Sequence, residues 1–343
     1  MEKILSDLQF KQLHSLLEEA SSIVICAHTS PDGDAIGSTL ALMHFLRRKG
    51  KQATVAVPNI FPDFLKWLPG TDEILINTLH PGQVKDAAEK ADLIIFVDVN
   101  QSSRLAELEP VVLANQCPRI LIDHHLNPDD FCSLTISRPD MCATGELLCH
   151  LLFGLDELDN ITLQEATCLY SAMMCDTGAF SYNSNRPVIF ECISRLLMRG
   201  IDKDLIYRNV YWTASEARLR LQGFLLYEKM QLLHDGHASI MTLTNQERQR
   251  LKVKNGDTEG MVNIPLQMLG VRLSIFIGED AEHPGIMRLS LRSVDDFPCN
   301  QMAKQFFDGG GHKNASGGRL NCTMDEAIRK VHEAIDNYAE MLK

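Results

Sequence analysis

The side chains best able to do chemistry crowd the ends of apolar runs. In "CAHTSPDGDAIGS" (26–38), His28, Asp32 and Asp34 follow the run "SSIVICAH". Asp98 closes "DLIIFVD", and Asp123, His124 and His125 close "RILIDHH". Asp176 stands in "CDTG", where a long helical pattern ends. Carboxylates gathered this closely resist ionising together, and a pair of divalent cations would remove the repulsion. Imidazole and carboxylate donors without thiolate suit Mn²⁺ or Mg²⁺ better than Zn²⁺ or Fe²⁺. Two such ions about 3.5–4 Å apart would activate a water and neutralise a phosphoryl oxygen during in-line displacement. Gly33 and Gly37 would let the backbone fold closely around them. Taken singly, Asp32 and Asp34 read as turn or cap residues and Asp98 as a strand-end acid. Capping does not explain three buried strands that all end in acid or histidine.

A second signal lies near the C-terminus. In "GGGH", Gly309, Gly310 and Gly311 before His312 would expose backbone N–H groups in a loop suited to an anion or phosphate. In "MRLSLRS", Arg288, Ser290 and Arg292 share one face of a strand by its period of two. Lys313 and Arg319 add positive charge in an otherwise acidic chain.

These residues need a scaffold that brings strand ends together. The run 21–28 is continuously apolar, which marks a strand buried on both faces; 53–57 reads as the next strand, and 92–98 and 119–125 as two more buried strands. Helical patterns separate them, notably after Asp34, which can cap the helix that Gly50 stops, and over 101–115 and 143–153. Such alternation predicts an α/β fold, with a doubly wound, mainly parallel sheet whose strand ends meet in one crevice. Residues 161–233 read as mostly helical. "HASIMTLT", "VRLSIFIG" and "GIMRLSLRS" then predict alternating strands, with a helix near 257–268, in a smaller C-terminal α/β domain. The expected organisation is a metal-binding domain over 1–195, a helical linker over 196–236, and a substrate-binding domain over 237–343, with a cleft between the two domains.

Composition narrows the function. The chain has 343 residues, 45% hydrophobic and 6% aromatic, with a formal net charge of -12. That charge argues against a long nucleic-acid track, which needs many cations for counterion release. No apolar stretch has the length of a membrane span. The N-terminus carries acidic residues and no cleavage-site pattern, so a signal peptide is not expected. None of the ten cysteines forms a C-x-x-C pair, and most lie in apolar runs. They read as reduced core thiols of a cytoplasmic protein.

The motifs "HTSPDGDAIGS", "VDVN", "DHH" and "CDTG" resemble the four motifs of the DHH phosphoesterase superfamily. "GGGHKNASGG" resembles the signature of its associated C-terminal domain. Length and domain order are most similar to the stand-alone nano-RNase (oligoribonuclease) and pAp-phosphatase group. The resemblance implies a two-manganese site, with magnesium as the alternative ion. His28, Asp32 and Asp98 would hold one ion. Asp34, Asp98, His124 and Asp176 would hold the other, with Asp98 bridging. His125 would contact the scissile phosphate and Asp123 would orient the histidines. His312, Arg292 and, on the same strand, Arg288 would bind substrate with the glycine run, and Arg104 would add a phosphate contact. Cys175 and Asn100 depart from the family's usual residues without removing a ligand.

The implied substrate is a short oligonucleotide or nucleotide, with no membrane partner and a homodimer left open. Three rivals remain: a cyclic di-AMP or linear pApA phosphodiesterase, a pyrophosphatase or exopolyphosphatase, and a catalytically dead nucleotide-binding regulator.

Overall fold

The computed structural model describes residues 3–254, 256–281 and 283–343. The chain folds into two compact units, one running to Thr213 and the other spanning Ala214–Lys343.

The first unit contains α1 (Asp7–Glu19), β1 (Ser22–Cys26), α2 (Gly33–Arg48), β2 (Gln52–Val57), β3 (Leu75–Ile76), α3 (Pro81–Lys90), β4 (Leu93–Val97), α4 (Glu109–Leu113), β5 (Arg119–Asp123) and β6 (Leu134–Ser137). It ends with α5 (Thr144–Gly154), α6 (Leu163–Asp176), α7 (Pro187–Leu197) and α8 (Lys203–Tyr211). The strands pair in the order β3-β2-β1-β4-β5-β6, all parallel.

Alternate residues of each central strand serve opposite layers. Ile23, Ile25, Ile95 and Val97 pack with Ile36, Leu40, Leu147 and Leu169. Val24, Cys26, Ile94 and Phe96 pack with Val84, Ala88, Leu105 and Val112 on the other face. Two covered faces explain why these strands read as continuous apolar runs. The expected helix over 101–115 is instead a 3₁₀ segment, Ser102–Leu108, kinked at Ala106 and followed by the short α4.

The second unit contains α9 (Glu216–Phe224), β7 (Gln231–Leu233), β8 (Ala238–Leu243), α10 (Asn245–Arg250), β9 (Leu273–Glu279), β10 (Ile286–Ser293), α11 (Cys299–Phe306), β11 (Gly310–His312), β12 (Ala315–Asn321) and α12 (Met324–Asn337). Its mixed sheet has the order β11-β12-β10-β9-β8-β7, and only the β8–β9 pair is parallel. The alternation expected in β8 and β9 is missing because both faces are covered. Ile240, Ile275 and Ile277 pack with Ala303, Val331 and Ile335, while Met241, Leu243 and Phe276 pack with Leu221, Leu225 and Met261. β10 keeps the alternation, with Met287, Leu289 and Leu291 inward and Arg288, Ser290 and Arg292 on the opposite face. The helix expected near 257–268 is a 3₁₀ segment, Met261–Gln267, with Pro265 inside it.

The segment expected as a helical linker, 196–236, does not stand apart. Ile206 and Val210 of α8 join the first core, and Leu221 of α9 joins the second. The division falls between Thr213 and Ala214. No helix among the described residues is long and apolar enough to cross a membrane.

Candidate metal centre

The strand order reverses between β1 and β4, because β1 is followed outward by β2 and β3 while β4 leads the other way. Loops beyond the carboxyl ends of adjacent strands diverge at such a point and leave a crevice. His28 follows β1, Asp98 follows β4, and Asp123, His124 and His125 lie at the end of β5. Asp98 adopts φ 61°. Its N–H still donates to the Ile122 carbonyl at 3.0 Å, so the chain turns only after completing the ladder. Aspartate tolerates this left-handed backbone better than most residues, but it remains a strained position typical of functional sites.

Three groups of donors converge here: Asp98, His124 and His125; His28, Asp32 and Asp98; and Asp34, His124 and Asp176. Within each, one ligand atom per residue lies within 4.8 Å of the others. His28 Nε2 is 3.4 Å from Asp98 Oδ2 and 3.9 Å from Asp32 Oδ1. His124 Nε2 is 3.3 Å from Asp176, 3.7 Å from Asp98 and 3.8 Å from Asp34. Asp98 and His124 each belong to two groups.

The remaining nitrogens fix the rings. His28 Nδ1 lies 2.7 Å from the Thr29 carbonyl, and His124 Nδ1 lies 3.2 Å from the Met141 carbonyl. His125 Nδ1 lies 2.8 Å from Asp123 Oδ1, and the His125 backbone N–H donates to the other carboxylate oxygen at 2.8 Å. Asp123 therefore orients His125 alone, and a backbone carbonyl orients His124. An imidazole that donates from Nδ1 presents a lone pair at Nε2.

The electrostatics describe a site short of positive charge. Burial, then the charges of Asp98, Asp176 and Asp32, raise the Asp34 carboxyl well above its ordinary range. Burial also raises Asp176, to about 6, with His124 opposing and Asp98 and Asp32 assisting. At Asp98 burial acts upward, but the hydrogen bond and charge of His28, with His125 and His124, outweigh it and hold the carboxyl well below its usual range. His28 and His125 are raised, because the carboxylates beside them outweigh the cost of burial. Protons are thus drawn to a cluster where a cation would serve the same purpose.

Three residues outside the sequence reading complete the cluster. The N-terminus of α5 faces it, and the Thr144 and Gly145 N–H groups donate to the two Asp34 oxygens at 2.6 and 3.0 Å. Thr144 Oγ1 donates to Asp98 Oδ1 at 2.9 Å, and Ser38 Oγ donates to Asp34 Oδ1 at 2.9 Å. The only local hint was a Thr-Gly pair opening a helix in "CATGELL".

Other expectations change in detail. Asp32, not Asp34, caps α2, accepting from the Asp34 and Ala35 N–H groups at 3.1 and 3.0 Å. Gly33 and Gly37 serve helix packing rather than a loop around ions. A Cβ at Gly33 would lie 2.3 Å from Cys175 Sγ, and one at Gly37 would lie 2.7 Å from the Cys168 carbonyl, so α2 and α6 approach closely. That contact seats Asp32 and Asp34 beside Asp176. Cys175 is no ligand candidate, because burial pushes its thiol far up. Arg104 reaches the Asn100 side chain at 3.3 Å, its carbonyl accepts from the Thr29 N–H at 2.7 Å, and its charge acts on His125.

In the second unit, Gly310, Gly311 and His312 form the edge strand β11 rather than a loop, paired with Gly317, Ser316 and Ala315. A Cβ at Gly309 would lie 2.0 Å from the Gly317 carbonyl, and Gly311 has φ 142°, so the glycine run is first a packing requirement. Arg288 Nε pairs with the buried Asp280 carboxylate at 2.5 Å. Lys313 pairs with Asp296 at 2.8 Å and Arg319 lies 3.5 Å from Asp308. Arg292 donates to the Leu291 carbonyl at 2.9 Å, and no carboxylate among the described residues forms an ion pair with it.

Comparison with known proteins agrees with this division. The DHH family, N-terminal domain, matches residues 22–173, and the DHHA1 domain matches residues 238–341. An exopolyphosphatase-related protein from Bacteroides fragilis, known from its crystal structure, is 44% identical, with a TM-score of 0.94 over 100% of this chain and 99% of its own. The chain belongs to the DHH family and carries a DHHA1 domain. The bifunctional oligoribonuclease and PAP phosphatase NrnA of Thermus thermophilus is 29% identical, over 91% of this chain and 89% of its own length. The cyclic-di-AMP phosphodiesterase PdeA of Listeria monocytogenes is 25% identical over 95% of this chain. The chain spans only 49% of that relative's length.

Proposed function

We propose that this protein is a divalent-cation-dependent phosphoesterase that hydrolyses short nucleotides, either very short RNA or 3′-phosphoadenosine 5′-phosphate. The observation that carries this reading is the convergence of three donor groups that share Asp98 and His124 at the switch point. The residues suit cations on their own chemistry. His28 Nε2 is buried facing two carboxylate oxygens, Asp98 Oδ2 at 3.4 Å and Asp32 Oδ1 at 3.9 Å, and the donors are imidazole nitrogen and carboxylate oxygen, the set suited to Mn²⁺ or Mg²⁺. His28, Asp32 and Asp98 would hold one ion, and Asp34, Asp98, His124 and Asp176 the other. Two such ions, when bound, would polarise a phosphoryl group and activate water toward it.

The chain's own groups supply the rest. His125, turned by Asp123, leaves Nε2 to donate to a phosphate oxygen, and the Asp123 and Asp98 carboxylates beside it raise its pKa against the cost of burial. Arg104 acts beside it as a fixed positive charge. Thr144 and Gly145 hold the carboxylates so that their remaining lone pairs keep one direction. Arg292, the glycine run and His312 would bind the non-scissile end of the substrate, a role that Arg288 shares less because Asp280 already engages it.

Full-length protein incubated with Mn²⁺ and, in parallel, a dinucleotide RNA, pAp, cyclic di-AMP, linear pApA and pyrophosphate tests the reading. Fastest turnover of the dinucleotide or pAp is expected. Preference for pyrophosphate would replace it with the second reading, an exopolyphosphatase-like activity, which the name of the 44% identical relative favours. Preference for cyclic di-AMP would favour the activity named for the Listeria relative.

A further inference from the structure

The chain has two tryptophans, and both line one open groove of about 740 Å³ in the N-terminal unit. One wall is the turn carrying Phe64, Lys66 and Trp67. The other is the C-terminal half of α8, with Arg208, and the following Trp212. Trp212 is 70% exposed, although an indole ring has much apolar area to gain by burial. Tyr207 braces it edge-on, with ring centroids 6.1 Å apart. No carboxylate among the described residues forms an ion pair with Arg208, whereas Lys66 reaches the exposed Asp63 at 2.7 Å. A braced, exposed aromatic face beside a guanidinium that only the more distant charge of Asp204, one turn earlier on α8, offsets is the chemistry that receives a nucleobase joined to a phosphate.

Both walls are anchored to segments that carry the carboxylate cluster. Leu65, between Phe64 and Lys66, has its Cδ2 3.7 Å from the position a Cβ would take at Gly33, the residue between Asp32 and Asp34. On the other wall, Tyr211 donates its hydroxyl to the Met174 carbonyl at 3.1 Å, two residues before Asp176. The walls of the groove thus share supports with Asp32, Asp34 and Asp176, at the start of α2 and the end of α6.

We propose that this groove is a base-stacking subsite, with Trp212 supplying the ring face and Arg208 the charge for an adjacent phosphate. The proposal rests on the nucleotide-hydrolysing reading above and names what would separate nucleotides from inorganic polyphosphates there. Every base presents a π face, so the subsite would accept any of them. It selects for a base rather than for a particular base.

The two tryptophans make the groove its own reporter. Adenosine 5′-monophosphate is titrated into the full-length protein in EDTA, where no hydrolysis competes, and indole emission is followed. We expect the nucleotide to change the emission and pyrophosphate to leave it unchanged. In Trp212→Ala the response to the nucleotide should vanish while Mn²⁺ affinity stays as in the parent. In the same variant, KM for a dinucleotide should rise roughly tenfold, equivalent to about 1.4 kcal/mol and within the range for losing one stacked base. Trp212→Tyr should restore KM. An emission that ignores the nucleotide, or a KM unchanged in Trp212→Ala, overturns the subsite. The emission assay needs no turnover, so a protein that binds the nucleotide yet prefers pyrophosphate keeps the subsite and loses the functional reading.

Discussion

Replacing Thr144 by valine isolates the contact between α5 and the cluster. Valine keeps the branched shape at a fully buried position and deletes one donor, the hydroxyl that reaches Asp98 Oδ1 at 2.9 Å. The backbone N–H bonds to Asp34 at 2.6 and 3.0 Å remain. A hydrogen bond to a charged acceptor is worth roughly 1.5–3 kcal/mol. If that free energy is realised in cation binding, Mn²⁺ affinity should fall roughly ten- to a hundredfold, at 1.4 kcal/mol per factor of ten. Loss of a group that orients a ligand typically costs a similar factor. Isothermal titration of metal-free protein with Mn²⁺ at pH 7.5 reads the change directly, and melting in EDTA checks that the fold is intact. Thr144→Ser, which keeps the hydroxyl, should recover most of the affinity. A valine variant with normal folding and parental Mn²⁺ affinity would refute the claim that Thr144 orients Asp98.

Asp98→Asn should lose bound Mn²⁺ and turnover more completely than Asp32→Asn, because Asp98 is buried and belongs to two donor groups, whereas the Asp32 side chain is 59% exposed. Metal counting with kcat for both variants checks this. Asp34, Asp176, His28 and His125 all have raised pKa values, so the metal-free fold holds protons that the unfolded chain has released. Their contribution is present at low pH and is lost as pH rises through those folded-state values, about 6 for Asp176. Depressed Asp98 acts the opposite way only in stronger acid. Since protons compete with cations for these donors, Mn²⁺ should raise Tm more at pH 8 than at pH 5.5; equal shifts would contradict the charge argument. Gly33→Ala should destabilise the first unit by roughly 1–3 kcal/mol, because its Cβ would meet Cys175 Sγ at 2.3 Å; denaturant melts of the single variant and of Gly33→Ala with Cys175→Gly test whether relieving that clash restores stability. Arg292→Ala should lower kcat/KM for a dinucleotide roughly ten- to a hundredfold, while Arg288→Ala should chiefly lower stability by stripping a partner from buried Asp280.

The strand ends were legible because two local signals coincided. A strand buried on both faces reads as an unbroken apolar run, as in Ile23–Cys26 and Leu93–Val97, and acids directly after it must lie at its carboxyl end. Alternating strands and helices make such strands parallel, so their carboxyl ends share one edge. The short strands β3 and β6 escaped because two residues, and four residues of mixed character, carry too little periodicity. β8 lost its expected alternation because a second layer of apolar groups covers it, and that layer comes from distant segments.

Pattern and spacing along the chain thus determined the class of fold, the edge of the sheet where the cluster gathers, and the candidate donors His28, Asp32, Asp34, Asp98, His124 and Asp176. Tertiary structure decided how they are held. Thr144 meets Asp34 across 110 residues of sequence and Asp98 across 46. Asp280 engages Arg288, Gly309 packs against Gly317, and Trp67 comes to share a groove with Trp212. Each depends on where separate elements dock. Docking follows the sum of many weak apolar contacts over the whole core, and no stretch of residues carries that sum in its own spacing.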